Sequence, residues 1–170
     1  MVLQGMVGLT VRELQTYIGG SMKIERFEDI DAWKEARTLT KMIYSLTGIG
    51  RFSRDFGLRD QVQRASVSVM SNIAEGFDAG SDKAFMNFLN YAYRSATEVQ
   101  SLLYVAFDAH YFTQTDFQQN FDQASKTKRL IGGLIRYLRG SMRYTISRPR
   151  TQNPELRTQN PGHHIPHIDH

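Results

Sequence analysis

The sequence predicts an all-α fold, an antiparallel up-down-up-down four-helix bundle. Three observations lead there. Apolar residues between positions 24 and 140 recur at steps of three and four, the period of a helix with one buried face. The runs begin at capping residues or end at glycines. The breaks between them are short, so consecutive helices should lie antiparallel.

The first helix is predicted to start near Asp29 as N-cap, with Asp31 and Glu35 in its early turns, where carboxylates favour the positive helix end. Its inward face reads Ile30, Trp33, Ala36, Thr40, Ile43 and Thr47, and Gly48-Ile49-Gly50 ends it. The second starts at Asp55 or Phe56. Its stripe is Leu58, Val62, Ala65, Val69 and Ile73, with Gly76 as the expected stop. β-Branched Val67 and Val69 alone suggest a strand, but the spacing of the whole segment is helical.

Ser81 is the N-cap candidate of the third and longest helix. Phe85, Phe88, Leu89, Ala92, Ala96, Val99, Leu103, Ala106 and Phe107 track one of its faces. The fourth opens on Thr115 and Gln118, a capping-box pair three apart. Phe117, Phe121, Ala124, Ile131, Leu134, Ile135 and Leu138 point inward. Gly132 and Gly133 sit inside it, each costing up to ~1 kcal/mol relative to alanine, which implies a close helix approach or a kink.

The organisation is therefore an N-terminal extension at 1–22, a bundle at 23–140 and a low-complexity tail at 141–170, expected to be disordered. In the tail RTQNP occurs twice, at Arg150–Pro154 and Arg157–Pro161.

Composition narrows function. The chain has 170 residues, 41% hydrophobic and 22% charged, so it can fill a core. It has no cysteine, which excludes disulfides, thiolate metal sites and cysteine nucleophiles and fits a cytoplasmic setting. No run reaches the ~18 apolar residues of a membrane span. A net charge of +4 is compatible with RNA or DNA as partner without requiring it.

No enzyme signature stands out, and neither a cofactor nor a metal is expected. Di-iron bundles use Glu-x-x-His, and no glutamate here is followed three residues later by histidine. There is no Walker A motif, and no serine is paired with histidine by the sequence. His110 reads as a helix-end residue. His163, His164, His167 and His170 with Asp169 are dense enough to take up a metal adventitiously, but nothing beside them would fix a geometry.

Two arginine groups bear on partners. Arg136, Arg139 and Arg143 crowd the end of the fourth helix, beside the expected positions of Glu25, Glu28, Asp29 and Asp31. Arg51, Arg54, Arg59 and Arg64 surround the N-terminal half of the second helix, where cations are disfavoured. Either they contact phosphates of a nucleic acid, or they pair internally, with Glu98 of the third helix level with Arg59 to Arg64.

Four ordered motifs carry a resemblance: Phe27-x-Asp29-Ile30-x-Ala32-Trp33, Gly57-Leu58-x-x-Gln61-x-x-Arg64-Ala65-x-x-Ser68, Asn72-Ile73-Ala74-Glu75-Gly76 and Ser95-x-x-Glu98. Over about residues 23–140 the chain resembles the bacterial four-helix-bundle proteins encoded in intervening sequences of 23S ribosomal RNA genes. The resemblance implies a ring-shaped homopentamer. It also implies kinship with the accessory variability determinant proteins of diversity-generating retroelements, which bind a reverse transcriptase and nucleic acid. The chain departs from that pattern at Phe52-Ser53-Arg54-Asp55, where relatives often carry proline after the phenylalanine.

The resemblance marks Asn72, Glu75, Gly76, Ser95 and Glu98 as signature positions. A carboxylate at the negative end of a helix needs a partner. Glu75 with Asn72 is therefore expected to fix the turn between the second and third helices or a contact with a neighbouring protomer; a general-base role for Glu75 is the lesser alternative. Tyr91 and Tyr104 are candidate subunit contacts or core residues with solvated hydroxyls. The reading that follows is a non-enzymatic oligomeric interaction protein, with nucleic-acid binding through the four arginines as the alternative.

Overall fold

The computed structural model describes residues 24–147, with side chains as far as residue 140. The N-terminal extension, the histidine cluster and the Arg143 side chain lie outside the described residues.

Four α-helices make the protein: α1 Asp31–Thr47, α2 Phe56–Asp78, α3 Asp82–Asp108 and α4 Gln114–Ser147. Short 3-10 turns at Phe27–Asp29 and Phe52–Arg54 precede α1 and α2. Each helix packs on the next and α4 closes back on α1, so the four form a square ring. The cross-helix bonds run antiparallel between α1 and α2 and between α2 and α3. On α1 and α2, Thr40 Oγ1 reaches the Ser66 carbonyl while Thr47 receives Gln63. On α2 and α3, Gln61 meets Glu98 while Ser68 meets Ser95. On α1 and α4, Gln123 Nε2 donates to Glu35 Oε2 at 2.8 Å, and Lys126 pairs with the same carboxylate at 2.9 Å.

Two clusters of side chains fill the interior, one toward each end. Leu39, Ile43, Phe52, Val62, Val99, Leu103 and Ala124 pack at one end, and Ile30, Ala36, Val69, Ile73, Leu89, Ala96 and Ile131 at the other. The expected stripes are narrower than the buried faces. Leu39, Leu46 and Leu102 are buried as well, and so are Asn120 and Thr127. Thr127 satisfies its hydroxyl on the Gln123 carbonyl one turn back, which lets a polar residue sit in the core.

Several helix ends differ from expectation. Asp29 lies in the 3-10 turn, and extended Ile30 is the N-cap of α1, with no side-chain capping bond. Asp55 does cap α2, accepting from Leu58 N at 3.0 Å, and Ser81 caps α3 through Ala84 N. The capping box of α4 sits two residues before the expected pair. Thr113 Oγ1 accepts from Asp116 N at 3.2 Å, and Asp116 Oδ2 accepts from Thr113 N at 3.1 Å. At the other end, α4 remains helical to Ser147, past the expected boundary at 140.

Gly76 does not stop α2, which runs on to Asp78. It lets α3 pack tightly on α2: a Cβ there would lie 2.6 Å from Phe88 Cβ. Gly132 and Gly133 are different. A Cβ at either meets nothing closer than 3.7 Å, so neither is needed for helix contact. His110 closes α3 with a positive φ of 58°, its N–H bonded to the Phe107 carbonyl and that of Tyr111 to Ala106. This is the Schellman arrangement, with histidine where glycine is usual.

Hydrogen bonds hold several carboxyls below the ordinary range: Asp55 by Leu58 N–H and Tyr111, Glu35 by Gln123 and Lys126, Asp116 by Thr113. A carboxyl whose folded pKa is depressed stabilises the fold above its unfolded pKa, near 4, and loses that contribution as pH falls through the folded value. The urea midpoint should therefore hold down to about pH 5 and fall below about pH 4. Asp55→Asn should flatten that fall; an unchanged profile would remove Asp55 from the explanation.

Candidate functional site

Helical spacing sends the signature residues to one place, and it is not the core. On α2 the steps Gln61, Arg64, Ser68, Asn72, Glu75 follow the edge that faces α3. On α3, Tyr91, Ser95 and Glu98 follow the edge that faces α2. Together they line the outer seam between the two helices.

The middle of the seam is a polar chain. Asn72 Nδ2 donates to the Ser68 carbonyl at 2.8 Å and to Ser68 Oγ at 3.0 Å, and Ser68 Oγ lies 3.0 Å from Ser95 Oγ. Gln61 Nε2 reaches Glu98 Oε1 at 3.4 Å. Serine, alanine and glycine keep the helices close, while Gly76 admits Phe88 and Phe85.

The Asn72 amide thus bonds back along its own helix, and it is Ser68 that meets Ser95 across the seam; Asn72 does not bond Glu75. Nor does Glu75 fasten the α2–α3 turn: it is exposed and has no ion pair or hydrogen bond among the described residues. Tyr91 is 54% exposed, touching Phe88 edge-on at 6.3 Å. Tyr104 belongs to the other side of α3, where it packs on Phe117 and Phe121 of α4.

The four arginines do not act as one group. Arg59 is engaged by Asp60 at 2.9 Å, by the Ser53 carbonyl at 3.0 Å and by the Phe56 ring at 4.8 Å. Arg51 lies 6.0 Å from the Tyr111 ring centroid. Arg51, Arg54 and Arg64 are exposed and make no ion pair among the described residues. Glu98 is level with this stretch, as the register requires, but its bond is to Gln61 rather than to an arginine. Among the described residues, the acids around the start of α1 make no ion pair with Arg136 or Arg139 either. Glu28 pairs with Arg26 at 2.8 Å and Asp31 with Lys34 at 3.0 Å, each within its own segment.

A basic cleft that the sequence reading did not single out opens between α3 and α4. Its volume is about 380 Å³, and its lining is Tyr93 and Gln100 from α3 and Ser125, Lys128, Arg129, Gly132 and Arg136 from α4. The steps 125, 128, 132 and 136 are a helix-face pattern, which was the signal available in the sequence. Lys128 Nζ is held 2.9 Å from Gln100 Oε1 and 5.0 Å from the Tyr93 ring centroid. Gln100 in turn donates to Ser125 Oγ at 2.8 Å. Among the described residues no three histidine, aspartate or glutamate side chains gather as metal ligands, and no helix is long and apolar enough to cross a membrane.

Comparison with known proteins places this geometry. The chain resembles a crystal structure of a protein of unknown function from the S23 ribosomal protein family of Bacteroides thetaiotaomicron. The match has a TM-score of 0.58 at 20% identity and covers 62% of this chain and 95% of that one, which establishes a shared fold. No curated protein matches the chain. The family model of the 23S rRNA-intervening sequence protein matches residues 28–133, which takes in the four sequence motifs apart from Phe27 and both sides of the α2–α3 seam. The chain belongs to the 23S rRNA-intervening sequence protein family.

Proposed function

We propose that this protein is a non-enzymatic interaction module that assembles with copies of itself through the outer seam of α2 and α3, as a pentamer by family resemblance. The observation that carries the reading is the position of the motif residues. Ser68, Asn72, Ser95, Glu75, Glu98 and Arg64 lie on or beside an external seam, where a stable monomer has little use for them. Exposed Tyr91 supplies the aromatic contact that subunit interfaces favour, and Glu75 and Arg64 supply charges that are unpaired among the described residues. A like-with-like or head-to-tail contact across this seam would give both charges partners.

Sedimentation velocity of the wild type, Glu75→Gln and Tyr91→Ala tests it. The wild type should sediment as a multiple of its 19.5 kDa chain, and both variants should shift toward smaller species at equal concentration. Variants that sediment like the wild type would contradict it.

Nucleic-acid binding is the second reading. It is favoured by Arg51, Arg54 and Arg64, which face solvent without carboxylates of their own. Affinity for RNA or DNA carried by these residues should fall steeply with salt and weaken in Arg51→Gln/Arg54→Gln. The same binding at low and high salt would remove it.

A further inference from the structure

We propose that the cleft between α3 and α4 is a phosphoryl-binding site. The inference rests on neither the assembly reading nor the four arginines around the start of α2, because it uses a different face of the bundle.

Three features distinguish the cleft from an ordinary charged surface. First, it gathers Lys128, Arg129 and Arg136, and no carboxylate lines it. None of the three makes an ion pair among the described residues, although Lys126, one turn before Arg129 and Leu130, is paired with Glu35. Second, Lys128 is not a free surface lysine. Its ammonium is fixed by the Gln100 carbonyl oxygen and the Tyr93 ring, and Gln100 is oriented by Ser125. Neutral partners position the charge without cancelling it, which is the arrangement that binds an anion.

Third, Gly132 forms part of the wall. It needs no positive φ, and a Cβ there would sit 3.7 Å from both Tyr93 Cε2 and Arg136 Nη1, an ordinary contact. Backbone geometry and helix packing therefore do not call for glycine, and its lack of a side chain leaves the cleft open. The side chain of Arg136 runs back past Gly132, which brings its planar donor fork to the same opening as the Lys128 ammonium. A fork and a point charge around a small polar cleft suit the tetrahedral oxygens of a phosphate. That group has two possible sources, a free phosphate or phosphomonoester and the backbone of a single-stranded RNA.

Calorimetry distinguishes them, using inorganic phosphate, adenosine 5′-monophosphate and an RNA of about 12 nucleotides without terminal phosphates. The full chain is compared with Lys128→Gln/Arg136→Gln, with Gly132→Leu, which fills the cleft and keeps its charges, and with Lys41→Gln as a distant control. Both cleft variants should lose about tenfold or more in affinity while Lys41→Gln keeps it. Binding of phosphate and the monophosphate assigns a small ligand. Binding of RNA alone, with a salt slope about 1.4 shallower in the double variant, assigns a nucleic-acid backbone. If none of the three binds, or the cleft variants bind like the wild type, the proposal is overturned.

Discussion

Phe52→Ala should lower stability by about 4 kcal/mol, the largest effect expected of any single truncation outside the helices. Phe52 lies in the 3-10 turn between α1 and α2, a place where a side chain is ordinarily solvated, yet it is only 1% exposed. Its ring stacks on Tyr111 at 5.0 Å between centroids and leans on Phe112 at 6.1 Å, both in the connection from α3 to α4. Tyr111 then donates its phenol proton to Asp55 Oδ2 at 2.9 Å, and Asp55 caps α2. One phenylalanine therefore joins the two connections at the same end of the bundle. Removing it empties a ring-sized volume and releases the tyrosine that supports the cap. At a few degrees per kcal/mol for a domain of this size, Tm should fall by roughly 15 °C. Tyr111→Phe, which keeps the stack and loses the hydrogen bond, should fall much less. A shift for Phe52→Ala of under about 4 °C would show that the two connections are not coupled.

Gly76→Val should cost about 3 kcal/mol by overpacking. Local propensity says the opposite, since valine is a slightly better helix former than glycine. Space decides the sign here. A Cβ at position 76 would be 2.6 Å from Phe88 Cβ and 2.8 Å from Phe85 Cδ2, and Phe88 Cβ is anchored to the α3 backbone. Moving it means separating α2 from α3 along the seam that carries Ser68 and Ser95. Chemical denaturation should show a lower midpoint for Gly76→Val. A variant as stable as the wild type would mean that the helices separate at little cost, and the seam would then be a poor platform for assembly.

The bundle was legible in the sequence because its signal is periodic and repeated. Val62, Ala65, Val69 and Ile73 need nothing beyond their spacing to declare a buried face. The cap at Ser81 was legible because its chemistry is local, whereas Asp55 was read only as a possible start of α2. The same local reading failed for α4. It misled at Thr115, because an equally good pair, Thr113 and Asp116, lies two residues earlier and spacing cannot rank them. Gly76 looked like a stop because glycine has two uses, and only the distance to Phe88 shows which applies. Leu39 and Leu46 lie on the expected stripe's shoulder, and a square ring buries a wider arc than one stripe. That Glu75 goes without a partner among the described residues and that Glu98 bonds Gln61 could not be read at all, since both depend on side-chain reach across helices. Register placed Glu98 beside Arg59 to Arg64, but Arg59 had a nearer carboxylate in Asp60. The α3–α4 cleft was missed for a related reason: its α3 and α4 residues lie 25 or more positions apart in the chain, each half unremarkable alone.

Hydroxyl-radical footprinting most directly tests whether copies meet at the α2–α3 seam. In the isolated chain Tyr91 and Tyr44 are almost equally exposed, at 54% and 49%, and Tyr44 lies on α1, away from that seam. At a concentration where the protein is assembled, Tyr91 should be modified several-fold more slowly than Tyr44, and the two should converge on dilution. Equal rates at every concentration would contradict the account.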